Sequence, residues 1–218
     1  MGWTVTDAAT ITKRHSVQHN VLMDLSKTLG YLLQTHLPDQ LGDKARIEVA
    51  YELPDPAQVD KLKKNQVLFS VVLLNATRTR DGQTHERPIV REEDEEGGLT
   101  EYRVGSPTRV TTRYMISPWT KDPLETQVAL GALMQHFFSF PVVSPDDYQG
   151  VSLERAGQLV VDLDENVGIE TLMAVFQSQG RSYQPSVVYK VDVVMESIFR
   201  VPVRRVVEKV NIYRKVES

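Results

Sequence analysis

The stretch that decides the fold covers residues 114–143 and reads YMISPWTKDPLETQVALGALMQHFFSFPVV. The residues from Arg109 to Ile116 alternate between two faces with the period of two that is typical of a β-strand. Ser117 and Pro118 are expected to end this strand, because proline has no N–H to donate and restricts the residue before it. The sequence therefore predicts a strand that leads directly into the segment beyond Pro118.

A helix start follows at Asp122, Pro123 and Glu125. Asp122 can accept hydrogen bonds from first-turn N–H groups, Pro123 suits the first helical position, and Glu125 can return a bond as in a capping box. Apolar residues then recur at helical spacing, which predicts one buried face, and Pro141 ends the run. The apolar residues are Leu124, Val128, Gly131, Leu133, Met134, Phe137 and Phe138. We expect the other elements to pack around this helix.

This strand-helix motif resembles one protein family, the tail-terminator or cap proteins of phage-like extracellular contractile injection systems of the antifeeding-prophage and virulence-cassette type. The match is strongest over residues 114–143 and is weaker but colinear from near Val17 to the last strand. The residues that carry it are Tyr114, Trp119, Asp122, Pro123, Glu125, Leu130, Gly131 and Pro141.

The resemblance implies a structural protein and no catalytic residue. Such a protein forms a homo-oligomer, a hexameric ring, on the upper end of the inner tube and sheath. There it ends polymerisation, covers the lumen and anchors the last sheath ring, so the implied partners are the inner tube protein and the sheath protein.

Composition and charge limit the other possibilities. The 218 residues are enough for a single buried core, and the net charge of -4 argues against a general nucleic-acid or membrane-surface binder. No cysteine is present, which excludes disulfides, and no apolar run approaches the ~20 residues of a membrane helix. We expect synthesis in the cytoplasm without a signal peptide, followed by incorporation into a particle that can be released.

The order of patterns predicts an α+β domain with a mixed or mostly antiparallel sheet and about three helices. We expect an N-terminal arm over residues 1–14, one domain over residues 15–218, and a flexible acidic loop over about residues 79–108. A buried central strand is predicted at Val67–Leu74. A short helix after residue 166 has two candidate cap residues, Asp164 and Asn166.

Two late strands are candidates for an exposed sheet edge. Sheath subunits of the resembled systems are linked by strands donated between neighbours, so the resemblance implies that a cap accepts the last free strands by adding them to its own sheet. The candidate interface residues are Val187, Tyr189, Val191, Val193, Val210 and Ile212.

An acidic block followed by two glycines is predicted to be a solvated, flexible loop, because like charges repel and glycine favours disorder. A docking arm for a basic partner is the alternative, whereas the spacing does not fit a calcium loop. The block consists of Glu92, Glu93, Asp94, Glu95 and Glu96.

No catalytic, cofactor-binding or metal-binding constellation is predicted. The sequence has no glycine-rich phosphate loop and no nucleophile elbow, and His15 and His19 stand four apart without a third ligand at a supporting spacing. Two alternatives to the cap stay open: a phage tail-completion or head-tail connector protein, and a small soluble enzyme with an unrecognised site.

Overall fold

Two separate β-sheets form the framework of the chain in the computed structural model, which describes residues 19–42, 45–79, 89–93, 99–154, 156–197 and 199–203. In chain order the strands are β1 (Arg46–Ala50), β2 (Gln66–Arg78), β3 (Ile89–Glu93), β4 (Leu99–Val104), β5 (Thr108–Trp119), β6 (Val161–Leu163), β7 (Val187–Met195) and β8 (Arg200–Pro202). The helices are α1 (Val21–His36), α2 (Pro38–Leu41), α3 (Pro56–Asp60), α4 (Pro123–Ser139) and α5 (Ile169–Ser178), and short 3-10 helices lie at Pro145–Asp147 and Val151–Leu153.

The chain divides into two compact units. One contains Met1–Asp81 and Thr108–Met195, and the other contains Gly82–Pro107 and Glu196–Ser218. The first unit holds a five-stranded sheet in the order β1-β2-β5-β7-β6, in which β1 and β2 are parallel and the other pairs are antiparallel. The predicted α+β class with a mixed sheet is therefore confirmed.

Helices cover the five-stranded sheet on both faces, as expected for a sheet with apolar residues on each side. On one face, α1 and α4 pack over β2, β5 and β7, where Phe69, Tyr114 and Tyr189 are fully buried. On the other face, α5 places Leu172 and Phe176 against a second apolar cluster. The predicted burial of β2 on both sides holds for residues 67–71, whereas Leu73 is exposed.

The second unit holds a three-stranded antiparallel sheet in the order β3-β4-β8. Ile89 pairs with Arg103, and Val201 pairs with the same residue from the other side. The backbone N–H of Gly105 also donates to the carbonyl of Phe199 at 3.0 Å. These contacts join β8, late in the chain, to the hairpin of β3 and β4.

Two local predictions were wrong. β5 does not end before Pro118 but continues to Trp119, pairing with β2 as far as Leu68. The pairing of β5 with β7 stops at Ile116, so proline lies where one side of the strand has no ladder partner. Helix α5 is preceded by Gly168 and not by Asp164 or Asn166, and Gly168 makes no side-chain cap bond.

Candidate functional site

Two aromatic residues near the corner between β5 and α4, Tyr114 and Trp119, connect different elements of the fold. The hydroxyl of Tyr114 donates to the carbonyl of Leu22 at 3.1 Å and lies 3.1 Å from the hydroxyl of Ser26, while burial raises the pKa of Tyr114 to about 12. The indole N–H of Trp119 donates to Ser70 at 2.9 Å, and its ring meets that of Phe176 edge-on. Both motif residues therefore have structural roles.

At the start of α4, only one of the two hydrogen bonds of the predicted capping box is present. The carboxylate of Asp122 accepts from the N–H of Leu124 at 2.8 Å, and Pro123 stands in the first turn. Among the described residues Glu125 makes no return bond, so the second half of the predicted capping box is wrong. Instead the hydroxyl of Thr120 donates to the carbonyl of Asp122 at 2.7 Å.

Two of the later motif residues, Leu130 and Pro141, have different surroundings. Leu130 is partly buried against the main apolar core, whereas Pro141 is exposed. The carbonyl of Pro141 accepts from the N–H of Val161 at 2.8 Å, and the N–H of Val143 donates to Leu159 at 3.0 Å. The segment after α4 thereby covers the outer side of β6.

Helix α4 has two apolar faces, and only one of them is buried. The buried face includes Leu133 and Phe137, but Leu124, Val128 and Phe138 are 68%, 62% and 60% exposed. The prediction of one buried stripe was wrong. Leu124 and Phe138 are fourteen residues apart, about four helical turns, so they point in nearly the same direction, whereas Leu133 and Phe137 point to the opposite side of the helix. We call the outward side the exposed α4 face; it consists of Leu124, Gln127, Val128, Gly131, Gln135 and Phe138.

The exposed α4 face is also without charge. No Asp, Glu, Lys or Arg occurs from Thr126 to Ser144, and two further exposed apolar residues, Phe140 and Val142, follow the helix. Large exposed apolar patches without charge are typical of surfaces that bind another protein. Sequence reasoning missed this face because its apolar residues look like core residues when only their spacing is considered.

The candidate interface residues of β7 lie inside the unit. β7 is flanked by β5 and β6, and Tyr189, Val191 and Val193 are fully buried, while Val187 is partly buried against the same core. The expectation that β7 is an exposed edge is therefore corrected. The physical reason is that β6 pairs with residues 189–191 on the outer side of β7, and that the N–H of Val194 donates to the carbonyl of Ala156, before β6 in the chain, at 3.3 Å.

An open sheet edge lies instead on β2. Strand β1 pairs only with Gln66–Ser70, and in the described part of the chain no strand pairs with the outer side of residues 71–77. The side chains of Leu73, Asn75, Ala76 and Thr77 are exposed there. The register with β5 shifts between Leu73 and Asn75, an irregularity typical of sheet edges.

The remaining candidate residues fall partly outside the described chain. Glu92 and Glu93 lie in β3, where their backbones pair with Thr100 and Leu99. Asp94, Glu95 and Glu96 lie outside the described residues, as do Val210, Ile212 and His15.

Charged side chains on the five-stranded sheet pair with one another. The Nε of Arg113 lies 2.5 Å from the Oδ2 of Asp164, and the Nζ of Lys190 lies 3.0 Å from Asp162. Burial raises the pKa of Asp164, but hydrogen bonds from Arg113 and Asn166 outweigh burial and hold it below its usual value. These pairs stabilise an ionised carboxylate and do not provide a general acid.

A pair of histidines joins the ends of α1 and α4. The rings of His36 and His136 are stacked with centroids 5.6 Å apart, and His36 lies 3.7 Å from the carboxylate of Asp147. The Nδ1 atom of His136 is buried and has no hydrogen-bond partner among the described residues. Burial lowers the pKa of His136, the neighbouring His36 lowers it further, and Asp147 acts in the opposite direction.

Neither a metal cluster nor a membrane span is present in the residues that the structure describes. No three His, Asp or Glu side chains in these ranges are placed to hold a metal ion. None of the described helices has the length and apolar character needed to cross a bilayer.

The comparisons with known proteins agree with this fold. Residues 24–209 match the family model of the Pvc16 N-terminal domain. The sheath/tube terminator of the extracellular contractile injection system PVC, in its extended state, aligns with a TM-score of 0.54 and 15% identity over 89% of this chain and 65% of that chain. The tube-terminating cap of the anti-feeding prophage aligns with a TM-score of 0.51 and 17% identity over 89% of this chain and 61% of that chain. This chain thus spans less than two thirds of the length of either protein, and no curated protein sequence matches it.

Proposed function

Because this chain belongs to the Pvc16 N-terminal domain family, we propose that it is a structural cap that terminates the inner tube and sheath of a contractile injection system. The family match over residues 24–209 is the observation that carries the proposal. The fold supports it, since the two similar structures are named as a sheath/tube terminator and a tube-terminating cap.

The proposed role is structural and not enzymatic. Tyr114 and Trp119 direct their polar atoms to groups inside the fold, and Arg113 and Asp164 neutralise each other. Side chains that are used in this way hold elements together and do not act on a substrate. The partners proposed for the cap are the inner tube protein and the sheath protein of the same particle, which can be released from the cell.

The proposed oligomer is a hexameric ring on the end of the tube. A closed ring of identical subunits requires two different, complementary patches on each copy. The proposal predicts that copies bound at a tube end are arranged around the tube axis and that the assembly stops further addition of tube subunits.

Sheath anchoring is proposed to use strand addition at the open edge of β2, over residues 71–77. An extended segment of a sheath subunit that pairs there would gain main-chain hydrogen bonds, while alternate side chains would fix its register. This location replaces β7, whose outer side is occupied by β6.

The proposal is tested in cells that make the particle. Deleting the gene for this chain is expected to give tubes and sheaths of uncontrolled length, and re-expression of a tagged chain is expected to restore the length and label one end of each particle. Electron microscopy with a label against the tag measures both. Particles of normal length without the chain, together with unlabelled ends after re-expression, would contradict the proposal.

A further inference from the structure

A groove lies next to the segment that follows α4. It has a volume of about 920 Å³, within the range of ligand-binding clefts in proteins, and it is lined by residues from the ranges 142–145 and 148–158. Most of its surface is apolar, and two of the lining residues, Val142 and Val151, are 48% and 62% exposed. Because these apolar side chains are exposed, the groove is open to a ligand.

The second of these two ranges is held in place by polar contacts. The hydroxyl of Ser152 donates to the carboxylate of Asp24 in α1 at 2.6 Å, and both side chains are buried. Gly150 has a φ of 128°, and a Cβ atom added there would collide with the same carboxylate, so this position requires glycine. The hydroxyl of Tyr148 donates to the carbonyl of Gly157 at 3.2 Å. A wall that is fixed in this way needs little ordering when a ligand binds, which favours affinity.

The backbone of Val142 is also available to a ligand. The carbonyl of Pro141 accepts from Val161, and the N–H of Val143 donates to Leu159, so both bonds are made on the side of β6. In an antiparallel pair the N–H and carbonyl of the residue between them point to the opposite side. Both groups of Val142 are without a backbone partner in the part of the chain that the structure describes. An extended peptide can bond to unpaired backbone groups of this kind.

The charge at the groove is negative. Glu154 lines it and has no ion pair among the described residues, and the exposed Asp146 directly follows the lining residue Pro145. None of the lining residues is basic, and the sequence contains no lysine or arginine between Lys121 and Arg155. Such a site attracts cationic side chains and repels anionic ones.

We propose that this groove binds an extended peptide segment of a partner protein in which aliphatic residues are flanked by lysine or arginine. The aliphatic side chains contact Val142 and Val151, a basic side chain pairs with Glu154, and the main chain bonds to the backbone of Val142. Apolar contacts supply the area, and the charge pair selects basic segments over acidic ones.

This site is separate from the surface proposed for sheath anchoring. The groove lies beyond β6, whereas the open edge of β2 lies on the opposite side of β5 and β7 in the same sheet. The peptide site does not depend on the cap function, because its test uses the purified chain alone. Failure of peptide binding and failure of length control in cells are therefore distinguishable results.

Synthetic peptides test the chemistry of the ligand. The probe is a fluorescently labelled peptide with the sequence Gly-Ser-Val-Lys-Val-Lys-Val-Gly-Ser, and fluorescence anisotropy with the purified chain measures its binding. We expect about tenfold weaker binding, or less, after each of three changes to the probe: glutamate for lysine, serine for valine, and methylation of the valine N–H groups. An unaltered probe that does not bind, or a changed probe that binds equally well, would overturn the proposal.

Variants of the chain test the location of the site. Glu154→Lys and Val151→Ser are each expected to weaken binding of the probe by about tenfold or more with an unchanged melting temperature, since both side chains are exposed. The matched controls are Glu170→Lys and Ile169→Ser on α5, which are also exposed, do not line the groove and are expected to bind like the natural chain. Unchanged binding by either groove variant, or an equal loss in its control, would overturn the proposal.

Discussion

Phe137 and Phe138 are neighbours on α4 but point in different directions, so they are expected to contribute differently to the free energy of unfolding. Phe137 is 2% exposed and its ring packs 4.8 Å from that of Tyr189, whereas Phe138 points outward. We expect Phe137→Ala to lower the free energy of unfolding by about 3–5 kcal/mol, since it removes core contacts and leaves a cavity. Phe138→Ala is the matched control and is expected to change it by less than about 0.5 kcal/mol in the free monomer. Chemical denaturation measures both, and equal losses would mean that the two faces of α4 are not as described.

His136 should make stability depend on pH. Its pKa in the folded protein is below the ordinary value, so the unfolded chain binds a proton more readily than the folded one. The free energy of unfolding is therefore expected to be highest above the unfolded pKa of about 6.5 and to fall as the pH falls through that value.

The measurement for His136 is a titration of its ring signals by NMR, alongside denaturation at several pH values. Replacement by glutamine is expected to reduce the slope of stability against pH between about 7.5 and 5. A titration midpoint for His136 at or above about 6.5 would contradict this expectation.

At the scale of single elements, the open edge of β2 predicts where proline is tolerated. An amide that points outward has no strand partner, so proline there removes no hydrogen bond of the sheet, whereas proline at an inward amide breaks the ladder to β5. Proline substitutions at Leu73, Asn75, Ala76 and Thr77 are expected to alternate between small and large losses of melting temperature. The well-folded variants are then expected to lose sheath binding, if strand addition occurs at this edge. A folded proline variant at each outward position that still anchors sheath normally would exclude strand addition here.

The acidic block makes a separate prediction at this scale. Replacing residues 92–96 by glycine and serine is expected to leave the melting temperature of the first unit unchanged, because solvated like charges contribute little to stability. Circular dichroism during heating measures this. If the folded variant no longer attaches to the particle, the block, whose first two residues lie in β3, is a docking element.

How much of the fold is readable from sequence differs from element to element. β2, α1 and β7 could be predicted, because long apolar periodicities leave few alternative structures. The position of β7 within the sheet could not, since strand order depends on the short β6 and on the segment around Val143 that pairs beside it. The exposed α4 face could not be recognised either, because burial is decided by neighbours and not by the spacing of Leu124, Val128 and Phe138.

At the scale of the whole molecule, the uncharged helix face and the open strand edge belong to the same unit and provide two surfaces of different chemistry. The helix face offers apolar area, whereas the strand edge offers backbone hydrogen-bonding groups that would pair with an added strand in a specific register. We expect salt to affect them little, since neither depends on charge pairs. Particle binding at about 0.05 and 0.5 M salt measures this, and a large loss of binding at high salt would indicate that charged surfaces contribute instead.

The strand order of the larger sheet also has a consequence for how the chain folds. β5 is the central strand and pairs with β2 on one side and with β7 on the other. Thr108 of β5 pairs with Met195 of β7, although the two residues are far apart in the sequence. Contacts so distant in sequence require costly loop closure before they stabilise the structure, which slows folding. Since β5 ends at Trp119 and β7 begins at Val187, a ribosome must synthesise the whole intervening segment before the central strand can acquire its second neighbour. Folding of this unit is therefore completed only after β7 has left the ribosome.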